Sequence, residues 1–280
     1  MALGSDPELN AIFGGHSDNG LLEPVVHPDT GTVIGLTFGQ GMHLGYTRFE
    51  VDTEGHNVKF LGGKLIPVDA DALPRDAQTS ELIEQVRQVR PELTETVATL
   101  KSPAMRLYNR ESTIGNLLTD MMREASGSDI AMLNSGGIRS DLNAGAVTRE
   151  HLMNVYPFVD NLTVIEMTGR QVRDLVAYGL TLPYGIAQFS GLEVTYDSTR
   201  PPEQRLIDVR HNGKPLSNDE RYTVSTTGFL ANGGDGYTMF PEGKVVADEL
   251  LMTDVLLEGF RSAGTIALPP TGRQQDISGR

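Results

Sequence analysis

Phe229-Leu230-Ala231-Asn232-Gly233-Gly234-Asp235-Gly236-Tyr237 sets three glycines and one carboxylate between two aromatic residues. It follows Arg221-Tyr222-Thr223-Val224-Ser225, which alternates as a strand does. A strand that runs into glycines lets the backbone take positive φ and approach a ligand closely. The pattern therefore places Asp235 where a carboxylate accepts hydrogen bonds from hydroxyl groups, with Phe229 or Tyr237 offering a flat aromatic face. Asn-Gly and Asp-Gly are also strong turn-forming pairs, so the same letters, read alone, favour a plain hairpin turn.

A second loop of this kind lies upstream. Ile130-Ala131-Met132-Leu133 is an apolar run that ends in Asn134-Ser135-Gly136-Gly137-Ile138-Arg139. Arginine supplies a planar, permanently charged fork suited to an anionic group. Around these loops ESTIGNLLTD (111–120), LNSGGIRSDL (133–142), VYPF (155–158), MTGRQV (167–172), FSGLEVTYD (189–197) and FLANGGDGY (229–237) follow one another. In that order they resemble the C-terminal domain of the 5'-nucleotidases, the bacterial and animal family that includes periplasmic UDP-sugar hydrolase. The resemblance covers residues 110–240.

It implies an α/β chain of mixed α+β character: a 5'-nucleotidase C-terminal-domain-like fold with helices packed on a mixed sheet, preceded by a partial metallophosphoesterase β segment. The implied limits are 1–68 for the metallophosphoesterase remnant, 69–102 for a linker and interdomain helix, and 103–280 for the substrate-binding domain. The implied site has Arg139 on a phosphate, Asn134 and Gly137 near base or ribose, and Asp235 on the ribose hydroxyls. Phe158 and Phe229 become the two walls of a base-stacking clamp, a contact that tolerates any base at ~1–3 kcal/mol per stacked face. Without the flanking motifs, both phenylalanines read as core. Relatives also place one or two arginines just before the helix that opens at Ser112, which nominates Arg106 and Arg110. The register departs from some relatives, because Tyr108 stands where they carry the arginine.

Near the start, Leu9-Asn10-Ala11-Ile12-Phe13 is strand-like and runs into Gly14-Gly15-His16-Ser17-Asp18-Asn19. Alone, a histidine with an aspartate two residues on is more often a turn than a metal site. The resemblance makes it the GGHS motif of the metallophosphoesterase domain, with His16 on one metal and Asp18 on the other. Asp18 departs from the Gln, Asn or His usual at that place, but aspartate ligates divalent cations as well. The implied cofactor is a divalent pair (Zn, Mn, Mg or Co) in an intact relative. The Asp-x-His and Gly-Asn-His-Glu/Asp segments that supply the remaining ligands and the catalytic histidine do not occur; Gly55-His56-Asn57 only rearranges the letters. The expectation is therefore a fragment with the metal pair incomplete or absent and no catalytic residue of its own. It belongs by resemblance to hydrolases of nucleotide phosphate esters or nucleotide sugars, binds nucleotides or nucleosides weakly, and hydrolyses nothing alone. Two other readings fit the letters: a non-catalytic nucleotide-binding module, and a relative that cleaves 2',3'-cyclic nucleotides or another ester.

Composition narrows the partners. The 280 residues carry a formal charge of −14, 39% hydrophobic side chains and no cysteine. The acidic balance argues against a nucleic-acid polymer or an anionic membrane as the main partner, because no basic face would release counterions. A small phosphate ester held by a local arginine cluster remains compatible with it. Absence of cysteine excludes disulfides and thiol chemistry. No apolar run reaches the ~18 residues needed to span a bilayer. The opening MALGSDPELNAIF lacks the basic and apolar regions of a signal peptide, so the chain itself carries no mark of the periplasmic or extracellular location that the resemblance implies.

The remaining elements follow from periodicity. Short strands are expected at 32–38, 46–51, 58–60 and 64–68, with a hairpin turn between 47–51 and 58–61; short of sheet partners, they are expected to pack on the other domain, pair with a second copy, or order poorly. Residues 69–76 read as a linker and 79–89 as a helix whose packing face is Leu82, Ile83, Val86 and Val89. A second helix, capped by Ser112 and ended by Gly127, has the stripe Ile114, Leu117, Leu118, Met121 and Met122. Then come a short helix from residue 148, a strand at 162–167, a helix at 170–180, strands at 189–196 and 206–210, a hairpin at 211–214, and a helix at 248–262. The polar tail 271–280 is expected to fray.

Overall fold

The computed structural model describes residues 9–15, 20–39, 41–52, 54, 57–69, 72–181 and 185–278. The chain divides into two compact units, Met1–Gln85 and Val86–Arg280.

In the first unit, β1 (Ala11–Gly14), β2 (Val25–Val26) and β3 (Val33–Leu36) form a sheet of order β1-β3-β2. β4 (His43–Asp52) and β5 (Asn57–Pro67) form a long hairpin in which Val51 faces Val58 and Phe49 faces Phe60. The hairpin expected around residues 47–61 is there, and it runs further than the two glycines at 62 and 63 suggested. The register shifts between Arg48 and Phe49 opposite Gly62, whose φ of 124° absorbs the extra residue as a bulge, so pairing continues to His43 and Pro67. Little of this unit is buried. Thr32 and Val33 are, whereas Phe13, Leu22, Leu44 and Val51 are each more than half exposed.

α1 (Ala77–Val89) crosses the division between the units, and Asp76 begins it by accepting the Thr79 N–H at 2.7 Å. No residue of α1 is buried, and Leu82, Ile83, Val86 and Val89 are exposed. The expected helix is present, but its apolar stripe is not a packing face here.

The second unit adds β6 (Thr96–Leu100), α2 (Thr113–Ser126), β7 (Ile130–Asn134), β8 (Gly145–Thr148), α3 (Arg149–Val155), β9 (Asn161–Thr168), α4 (Gly169–Gly179), β10 (Ala187–Ser190), β11 (Glu193–Tyr196), β12 (Leu206–His211), β13 (Lys214–Pro215), β14 (Arg221–Thr227), α5 (Gly228–Ala231), β15 (Lys244–Leu251), α6 (Met252–Ala263), β16 (Thr265–Ile266) and β17 (Gln274–Asp276). Its central sheet has the order β10-β7-β14-β9-β15 and is mixed: β7 and β14 are parallel, the other pairs antiparallel. Smaller sheets of order β13-β12-β11-β17 and β16-β6-β8 flank it.

β7 shows why the fold is layered. All five of its residues are buried; Ala131 and Leu133 enter one core with α2, α3 and α6, while Ile130 and Met132 enter the other with α4, β11 and β12. Side chains alternate across a strand, so a strand covered on both faces reads as an unbroken apolar run. The helix ends are chemically set. Ser112 accepts the Gly115 N–H at 3.0 Å and Gly127 closes α2 at φ 63°, while Thr168 and Gln171 form a reciprocal capping box at the start of α4. Helices packed on a mixed sheet is the architecture expected from the sequence.

Three expectations are corrected. Residues 189–196 are not one strand, because Gly191 turns at φ 81° between β10 and β11, where a Cβ would meet the Asp129 carbonyl oxygen at 2.3 Å. Residues 244–251 pair with β9 as an edge strand, so the helix expected from residue 248 starts at Met252. Part of the tail expected to fray is tied in: Gln274–Asp276 pairs in parallel with β11, and Arg273 grips Asp120 with two hydrogen bonds of 2.7 and 2.6 Å.

Candidate functional site

Two loops of the second unit meet. β7 delivers Asn134, itself buried, into a 3-10 turn at Ser135–Gly137, and β14 continues through α5 into a second 3-10 turn at Gly234–Gly236. The Asn134 Nδ2 donates to Oδ2 of Asp235 at 2.6 Å. Gly137 lies tight against this pair, since a Cβ there would sit 2.7 Å from Oδ1 of Asn134. Asp235 itself is left-handed, at φ 53° and ψ 18°, a region that aspartate and asparagine enter more readily than most residues. The Tyr178 hydroxyl holds it there by donating to the Asp235 carbonyl oxygen at 2.8 Å. Burial raises the pKa of Asp235, against the opposing pull of the Asn134 hydrogen bond and the Arg139 charge.

Arg139 leaves the first loop with its own N–H on the Val155 carbonyl and its guanidinium 5.3 Å from the centre of the Phe158 ring, within cation–π range. Phe158 in turn stands edge-on to buried Tyr156, ring centres 5.2 Å apart. Neither Phe158, 36% exposed, nor Phe229, 53% exposed, is a core residue. Gly234 accommodates the Phe229 ring, which a Cβ at that position would approach to 2.6 Å. Arg106 donates from Nη1 to the Ile138 carbonyl oxygen at 2.9 Å, which puts it on the Arg139 loop. Arg110 is exposed, and its charge acts on Tyr196 in β11.

Asn134, Gly137 and Asp235 are thus in direct contact, Arg139 pairs with Phe158 and its charge reaches Asp235, and Phe229 belongs to the Asp235 loop. Three supporting residues were missed in the sequence. Tyr178 holds Asp235; Asp160 accepts the Phe229 N–H at 3.0 Å; and wholly buried Gln188 accepts from the Ser112 N–H and Oγ while donating to the Ser135 Oγ and the Arg110 carbonyl. Gln188 is a buried amide beside Phe189 in β10, the one hint available, because such a group must be hydrogen-bonded.

His16 and Asp18 lie outside the described residues. Among the described residues no group of three or more His, Asp or Glu is placed to hold a metal ion. A cavity of about 380 Å³ in the first unit is lined by Phe13, Leu21, Leu36 and Leu65 together with the polar Thr37, Thr47 and Lys64.

Residues 94–242 match the family model for the 5'-nucleotidase C-terminal domain. The chain is 28% identical over 256 residues to the trifunctional nucleotide phosphoesterase protein YfkN of Bacillus subtilis, covering 84% of this chain and 17% of that protein. It is 28% identical to the 5'-nucleotidase of Bos taurus, covering 94% of this chain and 49% of that one. Its fold is that of the 5'-nucleotidase precursor of Thermus thermophilus, with a TM-score of 0.82 at 24% identity over 97% of this chain and 60% of that one. The chain therefore spans about half or less of the length of these curated relatives.

Proposed function

The chain belongs to the 5'-nucleotidase C-terminal domain family, and from that premise we propose that it is the substrate-binding part of a hydrolase of nucleotide phosphate esters. The observation that carries the proposal is the Asn134–Asp235 hydrogen bond, which joins the two glycine loops into one rim beside Arg139 and Phe158. Arg139 meets the phosphate with its fork of donors, and stacking on Phe158 limits the side-chain freedom it must lose in doing so. Phe158 and Phe229 take the base, one face of Phe158 being given to Arg139. Asp235 takes the ribose: a carboxylate has about four acceptor positions, and the bond to Asn134 uses one. Asn134 and Gly137 contact base or ribose alongside it. Arg106 lies close enough to the Arg139 loop to add positive charge at the phosphate, and Arg110 adds charge further along the same segment.

The family implies a divalent metal pair, Zn, Mn, Mg or Co. Among the described residues no group of three or more His, Asp or Glu is placed to hold one. What this chain contributes is orientation: it fixes the ester's base, sugar and phosphate so that attack on phosphorus comes from one direction. By the same reading the molecule works in the periplasm or outside the cell, residues 1–68 are a metallophosphoesterase segment, 69–102 the connection and 103–280 the binding domain.

The test is calorimetric titration with AMP, adenosine and ribose 5-phosphate, beside phosphate release from AMP with Mn²⁺ or Zn²⁺. The expected result is binding that is tightest for AMP, weakened by Arg139→Ala and by Phe229→Ala, with no turnover above a His16→Ala control. Turnover well above that control overturns the reading that these residues bind without hydrolysing, and no preference for AMP over ribose 5-phosphate overturns the base clamp.

A further inference from the structure

Asp160 stands two residues after Phe158, at the entrance to β9, and both of its carboxylate oxygens are engaged. Oδ1 accepts the N–H of its neighbour Asn161 at 3.0 Å, an ordinary local turn contact. Oδ2 accepts the N–H of Phe229 at 3.0 Å, across 69 residues of sequence. That amide lies in the first turn of α5, where helix bonding supplies no acceptor. The two candidate ring residues therefore hang from one carboxylate, Phe158 through a short stretch of chain and Phe229 through its own amide.

Three neighbours show that the arrangement is built around this group. A Cβ on Gly228 would come within 2.6 Å of Oδ1 of Asp160, so the residue before Phe229 has room only for hydrogen. The hydroxyl of buried Tyr156, the residue whose ring braces Phe158, faces Asp160 and Thr227. The Asp160 carbonyl accepts the Met252 N–H at 2.8 Å, which ties the same residue to the start of α6.

We infer that Asp160 is a positioning residue that sets the separation of the Phe158 and Phe229 rings and so the fit of a flat base between them. The inference rests on the nucleotide-binding reading above and adds to it the residue that gauges the clamp. Asp160 does not touch the ligand; it acts through the Phe229 amide and through Tyr156.

Titration of the full chain with AMP, which carries a base, and ribose 5-phosphate, which does not, separates this role from general damage. Asp160→Ala is expected to weaken AMP about tenfold, the size of one disturbed stacking face, and to leave ribose 5-phosphate within about twofold. Asp160→Asn keeps one acceptor oxygen and is expected to fall between wild type and Asp160→Ala. Adding Asp160→Ala to Phe229→Ala is expected to cost AMP less than the sum of the two single losses, since both act on the Phe229 wall. Equal losses on the two ligands, or full additivity with Phe229→Ala, overturn the inference. Amide exchange reads the structure independently: the Phe229 N–H is expected to lose protection in Asp160→Ala, and unchanged protection overturns the inference whatever the ligands do. If the wild type binds AMP and ribose 5-phosphate equally, the clamp reading itself has failed and takes this inference with it.

Discussion

Asp235 combines three properties that pull against one another: left-handed backbone, partial burial and a carboxylate whose pKa is raised by that burial. A carboxyl with a raised folded-state pKa binds its proton more readily folded than unfolded. Its contribution therefore favours the native state at low pH and is lost as pH climbs from the ordinary carboxylate range through the raised value. Asp235→Asn removes the titration and keeps a residue that tolerates positive φ. It is expected to melt at or slightly above wild type at neutral pH, with a flatter stability profile across that window, while binding AMP more weakly; thermal melts across pH beside calorimetry check both. Asp235→Val, β-branched at φ 53°, is expected to lose stability as well as binding. Asp235 and Asn134 were legible because glycine-rich loops after apolar runs announce themselves by composition. Asp160, Tyr178 and Gln188 were not, because each acts on a group many positions away and only the fold sets them side by side.

Among elements, one of the shortest, β17, is among the most tightly tied. Residues 272–274 give three backbone N–H groups to the carboxylate of Glu111, at 2.7, 3.2 and 3.2 Å, and Glu111, only 8% exposed, also takes the Asn116 amide. Arg273 then pairs with Asp120, one turn along α2 from Asn116. Glu111→Ala strands these donors and is expected to destabilise the second unit by about 3 kcal/mol, the scale of several buried polar groups left unpaired, read as a shift in urea midpoint. Ser112→Ala removes the α2 cap, for which about 1 kcal/mol is expected, and leaves the tail in place. A composition rich in polar residues made 271–280 look loose, yet a strand needs only backbone groups to pair, and a buried carboxylate supplied their acceptor. Residues 244–251 misled in the opposite sense: Ala247, Glu249, Leu250 and Leu251 suit a helix, and pairing with β9 overrode that preference. α2 and α4 were legible to within a residue or two, since cap, stripe and stop agreed.

At the scale of the molecule the two units differ in what holds them. The second has two continuous buried cores, whereas among the described residues of the first only Val33 is a buried hydrophobic side chain. Burial supplies the main stabilising term, so the chain is expected to unfold in two steps. Hydrogen exchange in residues 9–69 should run well ahead of exchange in β7, β9 and β14, and calorimetry should show a small early transition before a large one. A single coincident transition for both regions would contradict this. The sequence already separated the two by texture, short glycine-broken strands first and well-capped helices later. It could not show how sparse the first core is, because the strand letters are apolar enough for a packed sheet.

The parallel pairing of Gln274–Asp276 with β11 has a consequence for birth on the ribosome. A nascent chain emerges from its amino end, so α2, with Glu111 and Asp120 beside it, is exposed long before the partners that satisfy them are translated. Both buried cores are drawn from residues 97–266, so the apolar interior is complete before the tail is made, and the contacts of Gly272, Arg273 and Gln274 with Glu111 and Asp120 are the last to form.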